Sequence, residues 1–198
     1  MKKIVSVATA AMMALSIGAS AATHTVQKGD TMWKIAVKYE AGLSEIRDAN
    51  PQVTNGNLIY PGQVLNIPTV DTEVLEFENE IIRLVNEIRK ENGLKTLTAD
   101  WELSRVARYK SQDMKDKRYF AHNSPTYGTP YQMMTSFGIT YRSAGENLSQ
   151  GYSSPKVVVN AWMNSAGHRK NILNPTYTKI GVGYVKSGSY CTQMFIGK

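Results

Sequence analysis

A single cysteine, Cys191, stands in a chain of 198 residues whose opening reads as an export signal. No intramolecular disulfide can form, so each folded unit must be held by packing. Lys2 and Lys3 make a short positive start, and Ile4 to Ile17 is an apolar run rich in Ala and Met. Ala19-Ser20-Ala21 then supplies the small residues that a signal peptidase reads. The pattern predicts a secretory signal peptide over residues 1–22, cleaved after Ala21 or Ala22. The run is shorter than the roughly 20 residues that span a bilayer. No other stretch is apolar enough, so the mature chain is expected to have no transmembrane segment and to be secreted or wall-associated. Cys191 lies between Tyr190 and Thr192 in a predicted strand and reads as a small buried side chain, not a nucleophile.

Charge divides the chain. Residues 23–68 carry four basic and four acidic side chains, and residues 71–80 carry five acids and no base. Residues 81–198 therefore hold 17 basic against 7 acidic side chains. Such a domain is drawn to polyanions. For an exported chain the expected polyanions are wall polymers or lipid headgroups, and a solvated basic surface with no partner is the alternative. Nucleic acid is not expected, because the basic residues are scattered and form no binding motif.

The first unit spans 23–68. His24-Thr25-Val26 predicts a strand, and Asp30 is placed to cap a helix over Met32 to Tyr39, with Trp33, Ala36 and Val37 inward. His24, at the start of the mature chain, is expected to be exposed. Gly42 ends the helix; Ser44 opens a second, with Ile46 and Ala49 inward, and Asn50-Pro51 stops it. Leu58 to Pro68 returns as a turn and strand. The order is β-α-α-β in about 45 residues, very small for a core without cross-links.

His24-Thr25-Val26, Lys28-Gly29-Asp30-Thr31, Asn50-Pro51 and Tyr60-Pro61-Gly62-Gln63 resemble a LysM domain across nearly all of residues 24–68. The resemblance implies binding to N-acetylglucosamine-containing glycan, peptidoglycan or chitin. It places a sugar groove between Gly29, Asp30, Thr31 and Met32 on one side and Asn57, Leu58, Ile59 and Tyr60 on the other. Asp30 and loop backbone groups could bond hydroxyl and acetamido groups, while Met32, Ile59 or Tyr60 could cover apolar sugar faces.

Residues 69–76 read as linker and helix start, and 77–198 as the second domain. Phe77, Ile81, Leu84, Val85 and Ile88 keep helical spacing up to Gly93. A second helix is expected over Thr98 to Arg118, with Leu103, Val106, Ala107 and Met114 inward. Residues 119–152 read as irregular. Pro155 opens a helix that buries Val157, Val158, Ala161 and Trp162, followed by a turn at Gly167. Ile180, Val182 and Tyr184, then Tyr190, Thr192, Met194 and Ile196, alternate about a Ser187-Gly188 turn, which predicts a hairpin. The class is α+β.

His122, Glu146 and His168 are the residues with chemistry to offer. Two imidazoles and a carboxylate could hold a divalent metal, zinc or calcium, with positions open to water. Their spacings of 24 and 22 residues form no local metal signature, and a hydrogen-bonded structural cluster is the alternative. Ser124 beside His122 shows no nucleophile elbow.

Tyr119 to Pro125, Gly145-Glu146-Asn147-Leu148, Trp162 to Leu173 and Ile180-Gly181-Val182-Gly183-Tyr184 are similar, in order, to the bacterial branch of the CAP superfamily. That superfamily takes in cysteine-rich secretory, antigen 5 and pathogenesis-related 1 proteins. The resemblance implies an α-β-α sandwich with a central cleft, which in many eukaryotic members is lined by two His and two Glu and in some binds zinc. His122 and Glu146 match the first His and Glu. The second Glu would fall at Ser165 and the second His near Tyr190, where neither acid nor imidazole stands. His122, Glu146, His168 and Tyr190 are thus the candidate cleft residues. Three readings follow: a wall-associated, non-catalytic binder; a hydrolase using His122, Glu146 and His168 with a metal or as general base; and a carrier of lipid or a small apolar ligand.

Overall fold

The structure, a computed structural model, describes residues 20–55 and 58–198. Most of the expected signal peptide, residues 1–19, lies outside the described residues, as does Asn57 of the expected sugar groove.

The first module is a two-stranded antiparallel sheet covered by two helices. β1 (Ser20–Thr25) pairs with β2 (Val64–Thr69) in the register Ala22↔Ile67 and His24↔Leu65. The expected cleavage sites fall within β1. α1 (Met32–Tyr39) and α2 (Leu43–Asp48) bury Met32, Ile35, Ala36 and Ile46 against Val26, Leu65 and Ile67. The inner face of α1 follows 32, 35, 36 and 39, the spacing of one helical stripe. Trp33 and Val37, expected inside, are instead 56% and 42% exposed.

The caps also differ from expectation. Thr31, not Asp30, caps α1, its Oγ1 accepting from Lys34 N at 3.1 Å. α2 starts at Gly42 instead of Ser44, and Glu45 reaches back to the Gly42 amide at 2.9 Å. Asn50 ties the end of α2 to β2. It is fully buried, donates to Ile46 O and Asn66 O at 2.7 Å each, and accepts from Asn66 N at 2.8 Å. That side chain supplies tertiary connection where the hydrophobic core is small.

The second domain is a three-layer α-β-α sandwich. Its sheet has the order β3-β5-β6-β4, with β3 (Thr98–Ala99) parallel to β5 (Lys179–Val185) and the other pairs antiparallel. β6 (Tyr190–Gly197) lies between β5 and β4 (Ser143–Ser149) and is buried throughout, since both faces are covered. On one face, α4 (Trp101–Lys117) and α5 (Pro130–Ser136) pack Leu103, Val106, Ala107 and Met133 on Met194 and Ile196. On the other, α3 (Thr72–Glu91), α6 (Pro155–Asn164) and α7 (Ala166–Ile172) enclose Ile180, Val182, Tyr184, Cys191 and Phe195. Cys191 is completely buried, and burial pushes its thiol well above the ordinary range, as a packing role requires.

Two glycines bring α4 onto the sheet. A Cβ on Gly181 would lie 2.4 Å from Leu103 C, and one on Gly183 would lie 2.0 Å from Arg108 N. β3 pairs only with Lys179 and Ile180, so side chains complete the β5 edge beyond it. Ser104 Oγ accepts from Val182 N at 3.1 Å, and Glu78 Oε1 from Tyr184 N at 2.9 Å. Glu78 is itself paired with Arg108 Nη2 at 2.6 Å, and both residues are buried.

Several expectations shift. α4 begins at Trp101, because Thr98 and Ala99 pair with β5 and Asp100 caps the helix, accepting from Leu103 N at 3.0 Å. The segment read as irregular contains α5 and β4. α6 buries Val159 in place of Val157, which is exposed. Gly167 lies inside α7, and the break falls at Ser165.

Candidate functional site

The loop after α4 carries His122 and is held from below by two residues of that helix. Lys110 is fully buried. Its Nζ donates to Ala121 O and His122 O at 2.8 Å each and to Tyr119 OH at 3.1 Å. Asp113 accepts from Tyr119 OH, Ser124 Oγ and Thr126 Oγ1, each at 2.6 Å. Ser124 is locked in this knot: its Oγ also accepts the amides of Thr126 and Tyr127 at 3.0 and 2.9 Å. It is buried and its hydroxyl is spent on the Asp113 carboxylate and the loop amides, so it serves the loop.

Glu146 rises from β4 opposite Met194, on the α4 face of the sheet. Its Oε1 is 2.7 Å from His122 Nδ1. The carboxylate is 2% exposed, whereas the imidazole is 55% exposed. Glu146 Oε2 is buried without a hydrogen-bond partner. Burial pushes the Glu146 carboxyl up, against the downward pull of the His122 hydrogen bond and the Lys110 charge.

His168 comes from α7, which is fastened to β4 by polar side chains. Asn171 Nδ2 donates to Glu146 O at 3.1 Å and to Asn147 Oδ1 at 2.9 Å. Asn147 Nδ2 donates to Gln193 Oε1 at 2.9 Å and to His168 O at 3.2 Å. Trp162 Nε1 caps Leu148 O at 3.0 Å from α6. Burial, and then the charge of His122, hold His168 below its ordinary value, so the two imidazoles share one electrostatic neighbourhood. Tyr190 stands four residues along β6 from Met194, about 13 Å by strand geometry. Its ring packs with Met114, Leu148 and Val185 and does not join the His122–Glu146 pair.

Among the described residues, no group of three or more His, Cys, Asp or Glu side chains is placed to hold a metal ion. Glu146 spends one oxygen on His122 Nδ1, and Ser165 and Tyr190 add neither carboxylate nor imidazole. The pair does offer chemistry of its own. The carboxylate orients the imidazole through Nδ1 while the ring stays more than half exposed, with a buried acceptor on the same carboxylate.

Sequence reasoning missed Lys110, Asp113, Asn147, Asn171 and Gln193. Lys110 had a readable signal: it falls on the Leu103, Val106, Ala107, Met114 stripe, where a charge must be buried and spent.

In the first module, Val26 exchanges backbone bonds with Gly62 and Gln63, drawing the 27–32 loop beside the 58–63 turn. His24 is buried, not exposed. Its ring bonds Asp30 Oδ2 at 2.9 Å and Tyr39 OH at 3.2 Å. Asp30 also accepts from Gln27 N at 2.8 Å, so it fixes the loop it was expected to lend to a sugar. Met32 is in the core and cannot cover a sugar, whereas Leu58 and Tyr60 are exposed and Ile59 packs partly on the core. Gly29 holds a positive φ of 91°, which the tight loop requires.

Fold and site together define a small β-α-α-β module joined to an α-β-α sandwich that carries a His–carboxylate pair on the α4 face of its sheet. The chain belongs to the cysteine-rich secretory protein (CAP) family, whose model matches residues 82–196, more than half of it, and a LysM domain matches residues 24–68. It is 60% identical over 127 residues to the uncharacterized protein YkwD of Bacillus subtilis, covering 64% of this chain and 49% of that one. It is 36% identical over 168 residues to the uncharacterized membrane protein YlbC of the same organism, covering 80% and 48%. The chain thus spans about half the length of these relatives. A crystal structure of an extracellular SCP-domain protein of Bacillus anthracis superposes with a TM-score of 0.62 at 34% identity, covering 70% of this chain and 47% of that one. No helix among the described residues is long and apolar enough to cross a membrane.

Proposed function

We propose that the chain is an exported, wall-associated binding protein. Residues 1–22 direct export, the LysM module holds peptidoglycan, and the CAP domain binds a ligand at His122 and Glu146 without cleaving it. The buried, unpartnered Oε2 of Glu146 carries this reading, because a native fold rarely leaves a carboxylate oxygen sealed and unbonded unless something else satisfies it. The extracellular SCP-domain neighbour and the LysM match support the location. Peptidoglycan, with chitin as the related glycan, is favoured over anionic wall polymers. The match of residues 24–68 to a LysM domain supports the glycan.

The first test is co-sedimentation of the full mature chain with purified peptidoglycan and, in parallel, with chitin. Wild type is expected to pellet with peptidoglycan, and Tyr60→Ala with Leu58→Ala to stay in the supernatant. A wild-type chain that stays soluble with both glycans refutes the anchoring role. A second reading, hydrolysis with His122 as general base, has one observation in its favour: the Glu146–His122 pair has the orienting geometry of a catalytic dyad. Release of soluble fragments from peptidoglycan or a protein substrate by wild type, abolished in His122→Ala, would establish it over the binding role.

A further inference from the structure

The LysM module and the CAP domain touch through a contact that belongs to neither site. Glu45 on α2 accepts from Arg105 Nε at 2.6 Å and from Tyr109 OH at 2.8 Å, both on α4. Arg105 Nη2 reaches Ser44 Oγ at 3.3 Å. The guanidinium also lies over the rings of Tyr109 and Phe137, 5.4 Å from each centroid. The second oxygen of Glu45 holds the Gly42 amide, so one carboxylate closes the start of α2 and grips α4.

Gly42 shows that the module is fitted to this contact. Its φ of −68° is open to any residue, and helix N-caps favour Ser, Asp or Asn over glycine, with Thr about equal to it. The backbone therefore does not explain the glycine, but the neighbour does: a Cβ there would lie 2.3 Å from Arg105 Nε. The covalent connection is equally restricted. Only Val70 and Asp71 separate β2 from α3. Val70 packs on the second domain's core, and Asp71 caps α3, accepting from Glu73 N at 2.8 Å and from Lys186 Nζ at 3.2 Å.

We infer that the two modules move as one body, clasped by Arg105 seated over Gly42 and bonded to Glu45, so that the LysM loops and the His122–Glu146 cleft keep a fixed relation. Neither loop 29–32 nor turn 58–60 takes part in the clasp, which leaves the sugar-facing side of the module open. The contact is small, so it acts with the two-residue connection and not in place of it.

The test is 15N relaxation of the full mature chain, comparing rotational correlation times of amides in 24–68 with those in 72–198. Wild type is expected to give one common value. Arg105→Glu, which sets like charges face to face, and Gly42→Thr, which suits an N-cap but displaces the guanidinium, are each expected to lose it, the LysM amides tumbling faster. Two values in the wild type overturn the inference, as does a common value kept in both variants. Gly42→Thr leaves the CAP sequence untouched, so the reading stands even if Arg105→Glu fails to fold.

Discussion

Lys110 and His122 are joined through the main chain: the buried ammonium donates to the carbonyl of His122 at 2.8 Å while the imidazole turns away to Glu146. A charge in the interior thus shapes the cleft without entering it. All three hydrogen bonds of Lys110 go to the loop of residues 119–122.

Lys110→Met keeps the length of the side chain and removes its donors, leaving two carbonyls and a phenol short of a partner. A loss of about 3 kcal/mol in unfolding free energy is expected, since hydrogen bonds from charged groups contribute about 1.5–3 kcal/mol each and neighbours relax in part. Urea denaturation measures it. The His122 ring resonances should shift together with the loop amides, and a variant as stable as wild type would show that the loop holds itself.

The Glu146 carboxyl is raised by burial above its ordinary 4.5, so the folded chain keeps this proton to higher pH than the unfolded chain does. Stability then falls as pH rises through that window and stays lower above it. Glu146→Gln keeps an acceptor for His122 Nδ1 and carries no charge. It is expected to melt above wild type at neutral pH, and to lose that advantage below about pH 4, where both states of the wild type are protonated. His168 acts in the opposite sense. Burial and the His122 charge hold it below 6.5, so its stabilising contribution is complete above that value and is lost as pH falls through the folded-state value. Melting curves across pH 3.5 to 7.5 separate the two, and a Glu146→Gln difference independent of pH would contradict the first.

Gly183→Ala drives a methyl into the α4 backbone, where no side chain can swing aside. A cost of about 3 kcal/mol or failure to fold is expected. Gly167→Ala in α7 meets no atom within 4 Å and lies at ordinary φ, so a gain of about 0.5 kcal/mol is expected from the reduced freedom of the unfolded chain. Thermal denaturation of the pair tests whether close approach, and not glycine content, governs these positions.

The strand–helix–helix–strand order and the C-terminal hairpin were legible because each rests on local pattern, whereas His122 and Glu146 drew attention through their chemistry and the resemblance of the segments that carry them. Alternation marks β5 and β6, and turn residues frame them. The phase of α1 was not legible: Trp33 is the larger apolar residue, yet Met32 takes the core because Val26, Leu65 and Ile67 lie on its side. β4 escaped notice because Ser143 to Ser149 has no β-branched residue, and its neighbours accept polar side chains such as Asn147. α5 did carry a local signature, the Thr129 and Gln132 capping box with Pro130 in the first turn, hidden among the surrounding glycines. Asp30 and Thr31 exchanged roles because His24, six residues earlier on β1, claims the Asp30 carboxylate at 2.9 Å.

Cys191 lies at the centre of the sheet, beneath α3 and α6, with β4 and β5 on either side. Local fraying of loops or helix ends does not uncover it. A thiol reagent can reach this sulfur only after an opening that uncovers it, so the rate of alkylation at position 191 counts such openings of the domain. The chain carries an internal clock for its own opening, readable by mass from the alkylation of a side chain it already has.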